Sequence, residues 1–213
     1  MAAARDRTEN RCLGVILAGG ASRRMGGGDK ALADLGGRPL LAHVIARFQP
    51  QVTRLILNAN GPPQRFSQFG LPVVPDLDGR ALGPLAGLLA AMEWAARTDP
   101  ALTAIAAVTS DVPFLPPDLV SRLAVAAGSG VAIAVSSGRR HPTIGLWPLA
   151  LKADIAAALA RDDLSVNAFA SRHSAVEVSF PFSETDGAMI DPFFNANTPD
   201  DLAEARRIVA HAM

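Results

Sequence analysis

One cysteine, Cys12, is all that a chain of 213 residues contains. No disulfide can close within it, and no thiolate metal cluster can form. Cys12 itself reads as a small residue at the start of a strand. Neither sign of charge is in excess, because 20 Lys and Arg balance 20 Asp and Glu. That argues against broad electrostatic capture of nucleic acid or of an anionic membrane. Gly, Pro or charge interrupts every apolar stretch well before the ~18 residues that a membrane span needs. The opening residues MAAARDRTENR lack the apolar core of a signal peptide. These absences predict a soluble, cytoplasmic protein with no nucleic-acid and no membrane partner. HExxH, CxxC and a Ser-His-Asp order are missing too. So is GxxxxGK[ST], since Lys30 is followed by Ala31, and no GxGxxG follows the first apolar run.

Apolar residues, in contrast, make up 49% of the chain. That is enough for a sizeable core in one domain over 1–213, with residues 1–11 expected to be flexible. The most informative stretch is Leu13–Lys30, LGVILAGGASRRMGGGDK. Its apolar start is short enough for one buried strand. Gly19, Gly20, Gly26, Gly27 and Gly28 follow, together with Ser22, Arg23, Arg24 and Lys30 and a single acid, Asp29. Glycines let backbone N–H groups approach an anion, and the cations neutralise charge that the amides only partly offset. A strand feeding such a loop can hold a polyphosphate, although a flexible glycine turn would carry the same residues.

Further along, patterns of strand and helix alternate. A helix is expected from Leu40 to about Pro50, with His43 partly exposed on it. A strand follows over 54–60, a helical turn over 65–69 and a short strand at Val73–Asp76. Pro84 opens a helix to Arg97 that Asp99-Pro100 ends. The apolar run Thr103–Thr109 fits a central parallel strand buried on both faces. A helix to Ala127 and a strand over 131–135 come next. The turn Ser136–Arg140, a strand over 143–147 and a helix from Pro148 to Arg161 follow. A short helix over 165–171 and a strand over 175–180 precede a loop at 184–191. A last helix, capped by Thr198 and Pro199, runs to His211. The alternation predicts an α/β fold, a doubly wound and mostly parallel sheet with helices on both faces.

Polar groups stand after four of the expected strands: the Gly loop after Leu17, Asn58, Asp76 and Asp111. An open parallel sheet binds ligands outside the carboxyl ends of its strands, so the four segments are expected on one rim. Asp111, after a buried strand, is placed to hold Mg²⁺, which takes one or two carboxylates plus substrate phosphates and water. As a bland alternative it caps the turn before Pro113. Asp191 is either a second carboxylate or an ordinary turn start. Asp76 could accept from the N1–H and N2–H₂ edge of guanine, and Asn58 could bond a ribose or a base edge; both could equally be loop caps. Asn195 and Asn197 read as a cap and turn before the last helix. Arg139, Arg140, His141 and Thr143 form a second basic group, either a solvated turn or a face for an anionic second substrate.

The order LAGGASRRMGGGDK resembles the signature loop of nucleotidyltransferases, and its Gly-Gly-Gly-Asp-Lys ending resembles that of the molybdenum cofactor guanylyltransferases. Asn58-Ala59-Asn60, Val74-Pro75-Asp76, Gly83–Gly87, Asp111–Phe114, His141-Pro142-Thr143 and Phe194–Pro199 extend the resemblance over about residues 12–210. It implies a Rossmann-like nucleotidyltransferase fold and transfer of GMP from GTP to the terminal phosphate of the molybdopterin cofactor, with release of pyrophosphate. It also implies that Leu17, Ala18, Gly19, Gly20, Lys30, Asn58 and Asp76 bind GTP and that Asp111 binds Mg²⁺. Arg24, Lys30 and Asp111 would be the catalytic set. Arg139, His141, Thr143, Asn195 and Asn197 would face the second substrate. Cofactor-insertion proteins and molybdoenzyme chaperones are the protein partners this implies. The chain departs from the family's Cys-Asp-Thr-Pro with Ser110-Asp111-Val112-Pro113, which keeps the aspartate. Gly19 stands where related cytidylyltransferases tend to carry Ala, which favours guanine over cytosine. A CTP-dependent or sugar-phosphate nucleotidyltransferase, or a non-catalytic nucleotide-binding protein, are the alternatives.

Overall fold

The computed structural model describes residues 11–19, 29–77, 79, 82–185 and 188–211. Gly20 and Arg24 therefore lie outside the described residues, as do residues 1–10. Arg11, the last residue of the expected flexible segment, is instead tied to the fold: its carbonyl accepts from the Thr103 amide at 2.9 Å.

Strand β1 (Cys12–Leu17) is buried at every position. Its side chains split by period two. Cys12 and Ile16 enter one core, and Leu13, Val15 and Leu17 enter another. A 3₁₀ turn at Lys30–Leu32 then leads into a hairpin of β2 (Asp34–Leu35) and β3 (Arg38–Pro39), which the sequence reading does not contain. Helix α1 (Leu40–Phe48) buries Leu40, Leu41, Val44 and Phe48, spaced for one face. His43 on it is half-buried and bonds the Leu35 carbonyl at 2.8 Å. Strand β4 (Arg54–Asn58) and the short β5 (Val73–Val74) follow, joined by a 3₁₀ stretch at Pro63–Phe69. Helix α2 (Pro84–Thr98) begins with proline in its first turn, where a missing N–H costs nothing.

Strand β6 (Ala104–Thr109) and helix α3 (Leu119–Ala127) match the sequence expectation closely. Strand β7 (Ala132–Ser136) turns at once into β8 (Arg139–Pro148) through Ser137-Gly138, both at positive φ. That is the backbone of a tight hairpin. The strand expected from Thr143 thus begins at Arg139 and runs antiparallel. Helices α4 (Lys152–Ala160) and α5 (Val166–Arg172) come next, then strand β9 (Val176–Ser179). The segment expected to be a loop at 184–191 carries an antiparallel pair, β10 (Ser183–Thr185) and β11 (Ala188–Ile190). No strong alternation marks these residues; cross-strand pairing and the burial of Ile190 hold them. Helix α6 (Pro199–His211) ends the described chain.

The main sheet has the order β5-β4-β1-β6-β8-β7-β9. All its neighbours are parallel except β8, which lies antiparallel to both β6 and β7. The mostly parallel, doubly wound expectation therefore holds, with one reversed strand. Helices α1 and α3 cover one face through Leu41, Val44, Phe48, Leu119 and Leu123. Helices α2, α4 and α5 cover the other, around the fully buried Trp147, Met92 and Phe169. A third small cluster packs Leu202 and Ala205 of α6 against Leu35 and Leu40. Among the described residues no helix is long and apolar enough to cross a membrane.

Close packing explains one glycine in α2. A Cβ at Gly87 would lie 2.3 Å from Asn58 Oδ1 and 2.7 Å from Leu17 Cδ2. Asn58 cannot swing away freely, since its amide donates to the Val74 carbonyl and to Asp76, each at 3.0 Å. In a free helix Gly87→Ala would gain about 1 kcal/mol of propensity. Here overpacking costs about 1–3 kcal/mol and wins. Gly87→Ala should lower the melting temperature by roughly 2–4 °C in calorimetry, and the same substitution made in an Asn58→Ala background should cost less than it does in the wild type.

Candidate functional site

Registers along β1 fix the rim. Leu17 pairs with Asn58 of β4 on one side and with Thr109 of β6 on the other. Asn58 in turn pairs with Val74 of β5. The backbone ladder continues past the strand ends: the Ala18 amide donates to the Asn58 carbonyl, Ala59 to Val74, and Ser110 to Leu17, at 2.9, 3.2 and 3.1 Å. The four expected segments thus share one carboxyl edge. Buried polar side chains gather there too. Among the described residues these are Asn58, Asp76 and Ser136, each at or just past the end of a parallel strand.

On one half of the rim stands Asp76, 8% exposed. Asn58 donates to its Oδ1 at 3.0 Å and Asn60 to its Oδ2 at 2.8 Å, while its own amide donates to Asn60 Oδ1 at 2.9 Å. That last bond fixes which way the Asn60 amide faces. Asn60 is a residue that sequence reasoning did not single out; alone it looks like one more loop amide. Gly19 lies beside this group, with space for a Cβ 3.9 Å from Asn58 Oδ1.

On the other half, Lys30 and Asp111 form an ion pair at 2.7 Å, with 15% and 17% of their side chains exposed. Lys30 Nζ also donates to Asn195 Oδ1 at 3.2 Å and to Asn197 Oδ1. An ammonium has three N–H donors and no acceptor, so all three are directed, and both asparagines must present oxygen. Thr109 Oγ1 donates to the second carboxylate oxygen of Asp111 at 2.7 Å. The Ala196 amide donates to the Asp111 carbonyl at 3.0 Å, which pins the segment before α6 to this rim. Asn195 and Asn197 therefore meet Lys30 rather than serving only as a cap and turn. The cap of α6 is Thr198, whose hydroxyl accepts from the Asp201 amide at 3.1 Å. Asp201 returns the bond, accepting from the amides of Asn197 and Thr198 at 3.0 and 2.8 Å. Burial raises the Asp201 carboxyl, but these bonds, with Lys30 nearby, outweigh it and hold the group below its usual range.

Farther along, β8 bulges. Gly145 pairs with Ile133, but the next partner of β7, Ala134, faces His141. Pro142, Thr143 and Ile144 leave the ladder there, and a proline has no N–H to lose. His141 Nε2 lies 2.9 Å from Ser136 Oγ, and its ring meets Phe193 at 4.9 Å between centroids. Asp191 Oδ1 accepts from the Phe193 amide at 2.9 Å, the turn-start role considered for it. Arg139 sits exposed at the hairpin, and Arg140 pairs with Glu177 at 3.0 Å on the β9 side. The basic group expected to act together is thus divided: His141 faces Ser136 and Phe193, whereas Arg140 is committed elsewhere. Among the described residues no cluster of three or more His, Cys, Asp or Glu could enclose a metal. A cation here would meet Asp111 and depend on its substrate for further oxygen ligands.

The family model described as the MobA-like NTP transferase domain matches residues 14–176. A molybdenum cofactor guanylyltransferase of Bradyrhizobium sp. (strain ORS 278) is 49% identical over 201 residues, covering 92% of this chain and 92% of that protein. Another, from Mesorhizobium japonicum, is 49% identical over 200 residues and covers 92% of this chain and 95% of its own. The crystal structure of molybdopterin-guanine dinucleotide biosynthesis protein A from Archaeoglobus fulgidus shares the fold. Its TM-score is 0.71 at 22% identity, with 93% of this chain and 98% of that chain covered.

Burial pushes the His141 imidazole below its ordinary value of 6.5; Asp191 opposes this and Arg139 reinforces it. The unfolded chain therefore takes up this proton first as pH falls. Stability from this group is complete above about pH 6.5 and is lost as pH drops through the folded value. Urea titrations between about pH 7.5 and about pH 5 should show wild-type stability falling with pH, and His141→Gln should flatten that slope.

Proposed function

Because this chain belongs to the molybdenum cofactor guanylyltransferases, which share the MobA-like NTP transferase domain, we infer that it transfers GMP from GTP to the terminal phosphate of molybdenum-molybdopterin. An oxygen of that phosphate attacks the α-phosphorus of GTP. The bond from the α-phosphorus to the bridging oxygen breaks, and pyrophosphate leaves. A phosphomonoester has a second pKa of ~6, so the attacker is mostly a dianion at neutral pH and needs no general base. The obstacle is anion approaching anion, and the work of the site is to offset charge and align the two phosphates.

The observation that carries this reading is the Lys30–Asp111 pair on the rim at the carboxyl ends of β1 and β6. Lys30, aimed by Asp111, Asn195 and Asn197, meets the triphosphate as the leaving charge develops. Arg24 is the second cation of the set. Asp111 would hold a divalent cation, magnesium, and that ion would supply neutralisation of phosphate charge. The acceptor-only Asp111 carboxylate meets Lys30 on one oxygen and the Thr109 hydroxyl on the other, and the Lys30 contact suits exchange for a metal–phosphate complex. Leu17, Ala18, Gly19 and Gly20 lie against the nucleotide, Asn58 bonds it, and Asp76 accepts from the guanine N1–H and N2–H₂ edge. His141, Thr143 and Arg139 face the pterin side. The chain acts as one nucleotidyltransferase domain in the cytoplasm and hands its product to molybdoenzyme chaperones or cofactor-insertion proteins.

Lys30→Ala and Asp111→Asn should each slow pyrophosphate release on the order of 10²-fold, the scale of losing one transition-state donor. Near-normal turnover in both variants would remove them from the chemistry. In thermal-shift titrations with magnesium, GTP should stabilise the protein by roughly 2.7 kcal/mol at ~100 times its dissociation constant. An equal response to CTP would point to cytidylyl transfer instead.

A further inference from the structure

Two loops, one from each half of the rim, are far apart in sequence and joined by one side chain. Arg65 lies on the 3₁₀ stretch Pro63–Phe69, anchored in the core by Phe66, which is 1% exposed. Its guanidinium sits over the Phe66 ring at 4.6 Å from the centroid, which limits its rotamers. From there it reaches both ways. Nη2 donates to the Asn60 carbonyl at 2.7 Å, and Nε pairs with Asp29 at 3.2 Å. Asn60 is the residue that forks onto Asp76 through its side chain. Asp29 accepts from the Ala31 amide at 3.2 Å and so caps the turn that begins with Lys30.

We propose that Arg65 is a positioning residue that couples base reading to triphosphate binding, through the chain Asp29–Arg65–Asn60–Asp76. Resting on the guanylyl-transfer reading above, it deepens that reading by naming what sets the base preference. Two physical effects follow from one fork. Asp29 is an anion at the edge of a site for anions, and Arg65 neutralises it, so the triphosphate meets less repulsion. Asp76 has its amide and one carboxylate oxygen fixed by Asn60. A shift of Asn60 therefore tilts the lone pairs left for guanine, and a charge-assisted bond is sensitive to such a tilt. Arginine suits this role because its rigid fork serves two acceptors at once. Lysine is a point charge on a flexible stem.

The test is titration calorimetry with magnesium and no pterin, comparing GTP with inosine triphosphate, which lacks the exocyclic amine. Because the pterin is left out, a failure of transfer does not enter the result. Wild type should prefer GTP by on the order of 10-fold, the scale of one hydrogen bond to a charged acceptor. Asp76→Asn should abolish that preference. Arg65→Ala should cut it at least about 3-fold and weaken both triphosphates, with the melting temperature reporting any general loss of structure. Arg65→Lys should keep the affinity for inosine triphosphate, since it can still pair with Asp29, yet lose the preference. Arg65→Ala retaining the full wild-type ratio, while Asp76→Asn loses it, would overturn the coupling. A wild type that does not distinguish the two triphosphates would remove Asp76 as base reader and the coupling with it.

Discussion

Parallel strands share one direction, so wherever β1 pairs with β4 and β6 their chain reversals must emerge at the same edge of the sheet. That constraint decides nearly everything about the site. Leu17 sits level with Asn58 and Thr109, and the segments leaving these residues have only one place to go. The register is itself over-determined. Both faces of β1 are buried, so a slip by one residue would drive each side chain into the wrong core. The reversed strand β8 does not upset this, because it enters between β6 and β7, away from the β1 rim.

Charge is handled differently on the two halves of that rim. Asp111 is balanced by a cation, Lys30, and the pair remains partly open to solvent. Exchange of that partner would leave neither group bare, since Lys30 keeps the oxygens of Asn195 and Asn197 and Asp111 keeps the Thr109 hydroxyl. Asp76 is more deeply buried, and its carboxylate is met by neutral donors, the side-chain amides of Asn58 and Asn60. Amides lower the cost of burying the carboxylate without cancelling its charge. A carboxylate left in that state favours a ligand edge that brings two N–H donors. One half thus carries a carboxylate already paired with a cation, and the other a carboxylate met only by neutral donors.

Much of the fold was legible because buried parallel strands are written as apolar runs. Leu13–Leu17 and Ile105–Val108 could scarcely be anything else. The direction of β8 was less visible. Its signal was Ser137-Gly138, a two-residue turn that suits an antiparallel hairpin and not a crossover. The hairpins over 34–39 and 183–190 escaped notice because strands of two or three residues carry no readable period. At the site, the strand-end rule identified Asn58, Asp76 and Asp111 as neighbours. It could not identify who holds them. Lys30 meets residues 81, 165 and 167 positions away, and only folding brings such partners together. Asn60 and Ser136 were missed for a related reason: a loop amide or a hydroxyl looks like a cap until its partner is known.

Distance along the chain also explains why α6 belongs to the site and not merely to the end of the fold. The 3₁₀ turn that starts at Lys30 leads straight into β2 and β3, and Leu35 of that hairpin packs in the same cluster as Leu202 and Ala205 of α6. Arg206 adds a bond from α6 to the Asp34 carbonyl at 3.1 Å. The start of α6 is meanwhile locked by the reciprocal Thr198–Asp201 cap, whose carboxylate also holds the Asn197 amide. Lys30 is thereby gripped from two directions, by its own turn below and by Asn195 and Asn197 ahead of the helix. A lysine left alone at a loop end would sample many rotamers, and ordering it costs up to ~2 kcal/mol. Folding α6 onto the hairpin meets that cost before any ligand arrives, so the ammonium is already aimed at the rim it shares with Asp111.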